Sequence, residues 1–209
     1  MTTVTTAADS GAQREAARLP EAPVGHTTGW WAMVLFICTE SATFAAALAS
    51  YFYLRFIGSG PWPPVADSRP SLLVPSVGTA VLVLGCVPMG VAVRAARRPG
   101  RLLAWVSLVV TMLTGVAFVV LQIVDYRGEW PDSTLSKDAY GSLFYSITGL
   151  HGLHVAVGVL MVAVLVASTS LRRIGGGEAG PVRIVAMYWY FLAVLALAVY
   201  GTVYISPYL

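Results

Sequence analysis

Five stretches of this chain are each long and apolar enough to cross a lipid bilayer, and that leaves few folds open to it. They run over about 30–57, 72–94, 102–124, 141–171 and 184–206. A hydrocarbon core of about 30 Å takes roughly 20 apolar residues to span as a helix. Each stretch is continuously apolar and lacks the alternation of a barrel strand. In lipid the backbone must satisfy its own polar groups, so helices are the spanning form. A soluble domain with five buried helices would need a polar shell. With 57% of 209 residues hydrophobic, 11% charged and a mean hydropathy of +0.73, too little polar sequence is left to make one. The expected fold class is an all-α integral membrane protein, a bundle of five transmembrane helices.

Charge placement predicts the orientation. Arg14 and Arg18 precede the first span, Arg94, Arg97, Arg98 and Arg101 fill the second connection, and Arg172, Arg173 and Arg183 the fourth. With five spans all three groups share one side. The other side has Arg55, Arg69, Arg127 and Lys137 among Asp67, Asp125, Glu129, Asp132 and Asp138. The positive-inside rule then sets the N-terminus in the cytoplasm and the C-terminus outside. The sequence pI of about 9.0 follows from this asymmetry and implies no nucleic-acid partner. Residues 1–28 are expected to be a disordered cytoplasmic tail, without the apolar core of a signal peptide, and 29–209 a single membrane domain. Gly175, Gly176 and Gly177 form a short flexible connection; with no Lys-Ser/Thr after them they make no phosphate loop. Cys38 and Cys86 are expected to be packing residues, not a disulfide or metal pair.

Little ionisable chemistry is kept inside the spans. Glu40 is the one carboxylate within the five stretches as bounded above, and a carboxylate in a membrane helix is costly and usually partnered. Its candidate partners are His151 and His154 in the fourth stretch. Glu40 is about ten residues inward from Trp30, about 15 Å of helix. His151 comes to a similar level from the outer side, so an antiparallel arrangement allows the two to meet near the midplane. A metal held by the two histidines would need further ligands, for which Glu40 is the strong candidate. Two histidines one turn apart cannot take opposite axial positions on one haem iron. A buried hydrogen-bonded group that fixes helix packing, or a proton relay, are the other readings of Glu40, His151 and His154.

The first span also holds a ladder of small residues. Ser41, Ala45 and Ala49 lie beside Ala42, Ala46 and Ser50, and the four-residue spacing stacks them on adjoining lines of one face where a second helix can approach closely. Pro88 and Gly90 predict a kink in the second span. Trp62 and most tyrosines and tryptophans near span ends fit interfacial anchors.

An ordered series of motifs across the chain after residue 29 resembles the subunit III family of haem–copper oxidases. LFICTESATFAAALASYFYLR resembles the family's span with an intramembrane Glu, here Glu40. Trp62, Pro63 and Pro64 follow in the next loop. LQIVDYRG, with Gln122, Asp125 and Tyr126, resembles the family's Gln…Glu-Tyr segment. TGLHGLHVAVG from Thr148 to Gly158 is the most specific element, and YWYF from Tyr188 to Phe191 begins the last span. Tyr190 and Ala193 stand where the family usually has His and Asp, and Gly78 where an Asn is common. The resemblance implies the short, five-helix bacterial form in the plasma membrane. It implies no cofactor in this chain, haem and copper in a partner subunit I, a subunit II in the same complex, and phospholipid bound in a cleft. The implied role is non-catalytic: packing on subunit I and supporting proton uptake and stability in respiratory electron transport. An accessory subunit of a nitric oxide reductase-type complex, or a stand-alone small transporter using Glu40, His151 and His154, are the alternatives.

Overall fold

A computed structural model of the chain describes residues 27–58, 62, 71–98, 100, 102–129, 139–170 and 179–208. Residues 1–26 of the tail expected at 1–28, the Gly175–Gly177 connection and most of the loop after the first span lie outside these. The described residues form α1 (Thr28–Ile57), α2 (Leu73–Leu84), α3 (Cys86–Ala95), α4 (Leu102–Glu129), α5 (Ala139–Ser170) and α6 (Gly180–Val199). A π-helical turn, Tyr200–Ile205, and a 3₁₀ turn, Ser206–Tyr208, carry α6 to the end of the chain. Taken together, α2 with α3 and α6 with its terminal turns make five helices long and apolar enough to cross a membrane.

The second span is broken at Gly85, between α2 and α3. Pro88 lacks an N–H and its ring crowds the carbonyl four residues earlier, that of Leu84, so the interruption falls where proline chemistry puts it. Gly85 also admits a neighbour: a Cβ there would run into the Thr114 hydroxyl of α4.

The core is a bundle of α2/α3, α4, α5 and α6, with α4 packed against α2, α3 and α5, and α6 against α5, α2 and α3. Trp189 and Tyr188 of α6 are buried at its centre with Leu82, Met89, Leu108, Val155, Val162 and Leu192. Glycines make these approaches. A Cβ on Gly158 would lie 2.7 Å from Leu192, and one on Gly115 would lie 2.7 Å from the Trp189 ring and 2.5 Å from Val159. By contrast α1 leans chiefly on α5 and α6. Within its apolar window 11% of residues are buried, against 56% for the α6 span, so α1 is the peripheral helix. Large apolar side chains such as Leu35, Phe56, Leu102, Leu160 and Val194 face outward, the distribution of a surface made for lipid or for other membrane helices.

Candidate functional site

Glu40 on α1 meets the rest of the bundle at one imidazole. Its Oε2 lies 2.9 Å from Nε2 of His154 on α5. The other ring nitrogen of His154, Nδ1, is 2.7 Å from the Leu150 carbonyl one turn earlier. A carbonyl only accepts, so Nδ1 carries a hydrogen, and this settles what passes between the side chains. Either a neutral Glu40 donates to the Nε2 lone pair, or an imidazolium donates to a carboxylate. In both cases one proton sits in the contact and the pair is neutral overall, the form a membrane interior tolerates. Phe44, one turn after Glu40, packs its ring edge-on to His154 at 5.3 Å. From α6, the Tyr188 hydroxyl donates to the His154 carbonyl at 3.2 Å, so three helices converge on this residue.

Depth along the two helices also allows His151 to meet Glu40, but its azimuth does not. His151 is on the same helix but turned into the bundle, 2% exposed, between the rings of Phe118 at 5.4 Å and Phe44 at 6.5 Å. It belongs to a second polar group, in the half of the bundle towards Tyr204. There Gln122 of α4 donates from its amide to the Thr148 carbonyl at 2.6 Å and to the Tyr126 hydroxyl at 3.1 Å. Tyr126 and Thr148 share a hydrogen bond of 2.7 Å. Gly152 lets this happen: a Cβ on it would occupy the space of the Gln122 amide. Asp125, one turn from Gln122, is 5% exposed and accepts a 2.7 Å hydrogen bond at Oδ2 from Tyr204 of the terminal π-turn.

Asp125 is the residue that reading by charge alone misassigns. The third span was expected to stop at residue 124, leaving Asp125 among outer-loop acids; α4 instead runs on to Glu129. Glu40 is thus not the sole carboxylate inside the bundle. The signal was available in the helical spacing of Gln122, Asp125 and Tyr126, which share one face at three and four residues.

Ser41, Ala42, Ala45, Ala46, Ala49 and Ser50 are all exposed and point away from the other helices of the chain. Four hydroxyls of α1 are turned back onto their own helix: Thr39 to the Phe36 carbonyl, Ser41 to Ile37, Thr43 to Thr39 and Ser50 to Ala46. That leaves a smooth face with its polar groups satisfied, the form in which serine and threonine sit in apolar surroundings. Cys38 is exposed beside it and Cys86 half-buried, both free thiols, so Cys38 does not pack inside the chain as expected. Among the described residues no group of three His, Cys, Asp or Glu is placed to hold a metal ion.

At the Arg-rich ends of the helices, a cleft of about 400 Å³ opens between α1, α3 and α6, lined by Trp30, Gly90, Arg94, Arg97, Arg183 and Tyr190 among others. None of its three arginines forms an ion pair among the described residues. Tyr190, standing where the resembled family has a histidine, thus faces this cleft.

A five-span bundle whose interior holds acids, imidazoles and tyrosines defines a class: a multi-pass membrane protein. Comparison with known proteins names the family. Residues 23–208 match the family model for cytochrome c oxidase subunit III, and the chain belongs to that family. It is 32% identical over 174 residues to a probable cytochrome c oxidase subunit 3 of Mycobacterium leprae, covering 82% of this chain and 84% of that one. It is 29% identical over 185 residues to the cytochrome bo(3) ubiquinol oxidase subunit 3 of Pseudomonas aeruginosa, covering 85% and 83%. The cytochrome c oxidase subunit 3 of Pongo pygmaeus is 31% identical over 179 residues, covering 83% and 68%. The chain is accordingly an accessory subunit of a haem–copper oxidase, and the bacterial relatives accord with a place in the bacterial plasma membrane. Family membership sets aside the stand-alone transporter.

Proposed function

We propose that this chain packs through α1 on the oxidase subunit that carries haem and copper, subunit I, with subunit II in the same complex, and sustains proton uptake there without a redox centre of its own. One observation carries this reading: the helix that bears Glu40 turns a continuous face of small residues away from its own bundle. Close approach without large side chains is how membrane helices associate, since lipid offers no hydrophobic drive. In this arrangement the Glu40–His154 contact holds α1 on α5 at the level where the partner docks, and its shared proton lies next to that interface. The N-terminus is cytoplasmic and the C-terminus outside, following the arginine distribution.

The phospholipid implied by the family resemblance has a cleft suited to it. Three guanidiniums without an ion pair among the described residues, together with Trp30 and Tyr190, match an anionic headgroup, since basic pockets between helices at the cytoplasmic surface bind such lipids. Tyr190 adds a hydroxyl to the cleft wall that a lipid phosphate can accept from.

Isolation in mild detergent tests the assembly. The tagged chain should co-purify with a haem- and copper-bearing partner, and Ala46→Leu, which roughens the open face, should reduce the yield of partner without unfolding the chain. A monodisperse lone protein, or full recovery of the partner with Ala46→Leu, counts against docking on this face.

A further inference from the structure

Both ring nitrogens of His154 are committed, but the same turn of α5 carries an imidazole with both nitrogens open. His151 is buried, and neither Nδ1 nor Nε2 has a hydrogen-bond partner among the described residues. A neutral imidazole brings one donor and one acceptor into the interior, and buried polar groups of folded proteins are satisfied by protein or by ordered water. The edge-to-face rings of Phe118 and Phe44 supply at most a weak N–H···π contact.

His151 opens onto a cavity of about 40 Å³ between α2, α4, α5 and the last span. Its wall is polar at several points: Thr79, Gln122, Asp125, Thr148, Tyr200 and Tyr204 line it. A water needs roughly 10–15 Å³ of such space and two to four polar partners, whereas empty cavities are apolar ones. The last helix changes form at this point. The π-helical turn Tyr200–Ile205 stacks Tyr200 on Tyr204 at 5.9 Å and brings both to the cavity, and such turns recur where a helix serves a site. Gly78 of α2 keeps the opposite wall back, with space enough that a Cβ there would make only ordinary contacts, 3.6 Å to Phe118.

We propose that this cavity is a built internal water site, in which a small cluster of ordered waters bonds the ring of His151 and joins it to the Asp125–Tyr204 pair. The bundle then holds two acid–imidazole systems, whose imidazoles stand on neighbouring faces of one turn of α5. Glu40 and His154 touch directly; Asp125 and His151 communicate through water. This stands apart from the docking of α1, because no residue of the cavity belongs to α1.

Water-edited solid-state NMR on the full chain, labelled with ¹⁵N-histidine and ¹⁵N-tryptophan in phosphatidylcholine liposomes, tests it without any oxidase activity. The chain has three histidines, so His26→Asn and His154→Asn identify the His151 signals. Trp189 is an internal dry standard: its Nε1 is buried with no partner among the described residues and does not line the cavity. Magnetisation from water should reach the His151 ring nitrogens several-fold faster than Trp189 Nε1. Gly78→Val, projecting into the cavity, should bring His151 down to the Trp189 rate; if that variant does not fold, Thr79→Val, which removes one lining hydroxyl, should slow the transfer instead. A parent protein in which His151 is reached no faster than Trp189, or variants that leave its rate unchanged, would overturn the proposal.

Discussion

Glu40 and Asp125 show two ways of keeping a carboxylic acid inside a membrane helix. Glu40 is half-exposed and met by an imidazole whose far nitrogen is locked by a carbonyl. Asp125 is buried and met by a phenol. In Glu40→Gln the amide N–H can still donate to Nε2 of His154, so the variant should assemble like the parent, while the shared proton is lost. Glu40→Ala removes the contact altogether. Interhelical hydrogen bonds in membranes are worth about 0.6 kcal/mol on average and up to about 1.7, so the alanine variant should unfold earlier in detergent by that order. In the assembled oxidase both variants should shorten sustained turnover with haem content preserved; a glutamine variant that equals the parent in durability leaves the contact a purely structural role. For Asp125 the informative change is Tyr204→Phe, which deletes one donor to a buried carboxyl. A loss of roughly 1–3 kcal/mol is expected, read as a lowered thermal midpoint of the purified chain, and an unchanged midpoint would show that Tyr204 is dispensable there.

At the level of helices, the glycines of α4 and α5 set how closely the core packs. Gly115→Val must displace Val159 and the fixed indole of Trp189, and overpacking of this kind costs typically about 1–3 kcal/mol. Gly158→Ala meets the movable end of Leu192, so its penalty should be the smaller when both variants are melted side by side. The five spans were legible from sequence because the length of an apolar run is itself the physical requirement for crossing a bilayer. The break in the second span was legible too, since Pro88 cannot continue the backbone ladder. The end of α4 could not be read from charge, because a charge at a span boundary reads as loop unless its partner is known, and Tyr204 lies 79 residues away in sequence; the shared face of Gln122, Asp125 and Tyr126 was its local mark. Nor could depth choose between His151 and His154. They differ by about 4.5 Å of rise but also by about 60° of rotation, and only the packed bundle decides which of them faces α1.

For the whole molecule, the asymmetry between a packed bundle and a peripheral α1 sets what the protein offers to others. The open face of α1 is smooth and free of unmet polar groups, while the Arg-lined cleft at its start is charged. Substitutions in the two should separate. Ala45→Leu should weaken assembly with the partner and spare bound lipid. Arg94→Gln with Arg183→Gln should lower the anionic phospholipid retained on the purified chain, read by native mass spectrometry, and spare assembly; loss of both properties in either variant would mean that the two surfaces are one. The position of α1 also bears on biosynthesis. It leaves the ribosome first, yet it rests on α5 and α6, which leave last, and Glu40 and its partner His154 are 114 residues apart. At about 5–20 residues per second the first helix waits roughly 6–23 s in the membrane with an unpaired carboxylic acid. During that interval whatever shelters Glu40, whether insertion machinery or a polar lipid headgroup, stands in for an imidazole not yet made.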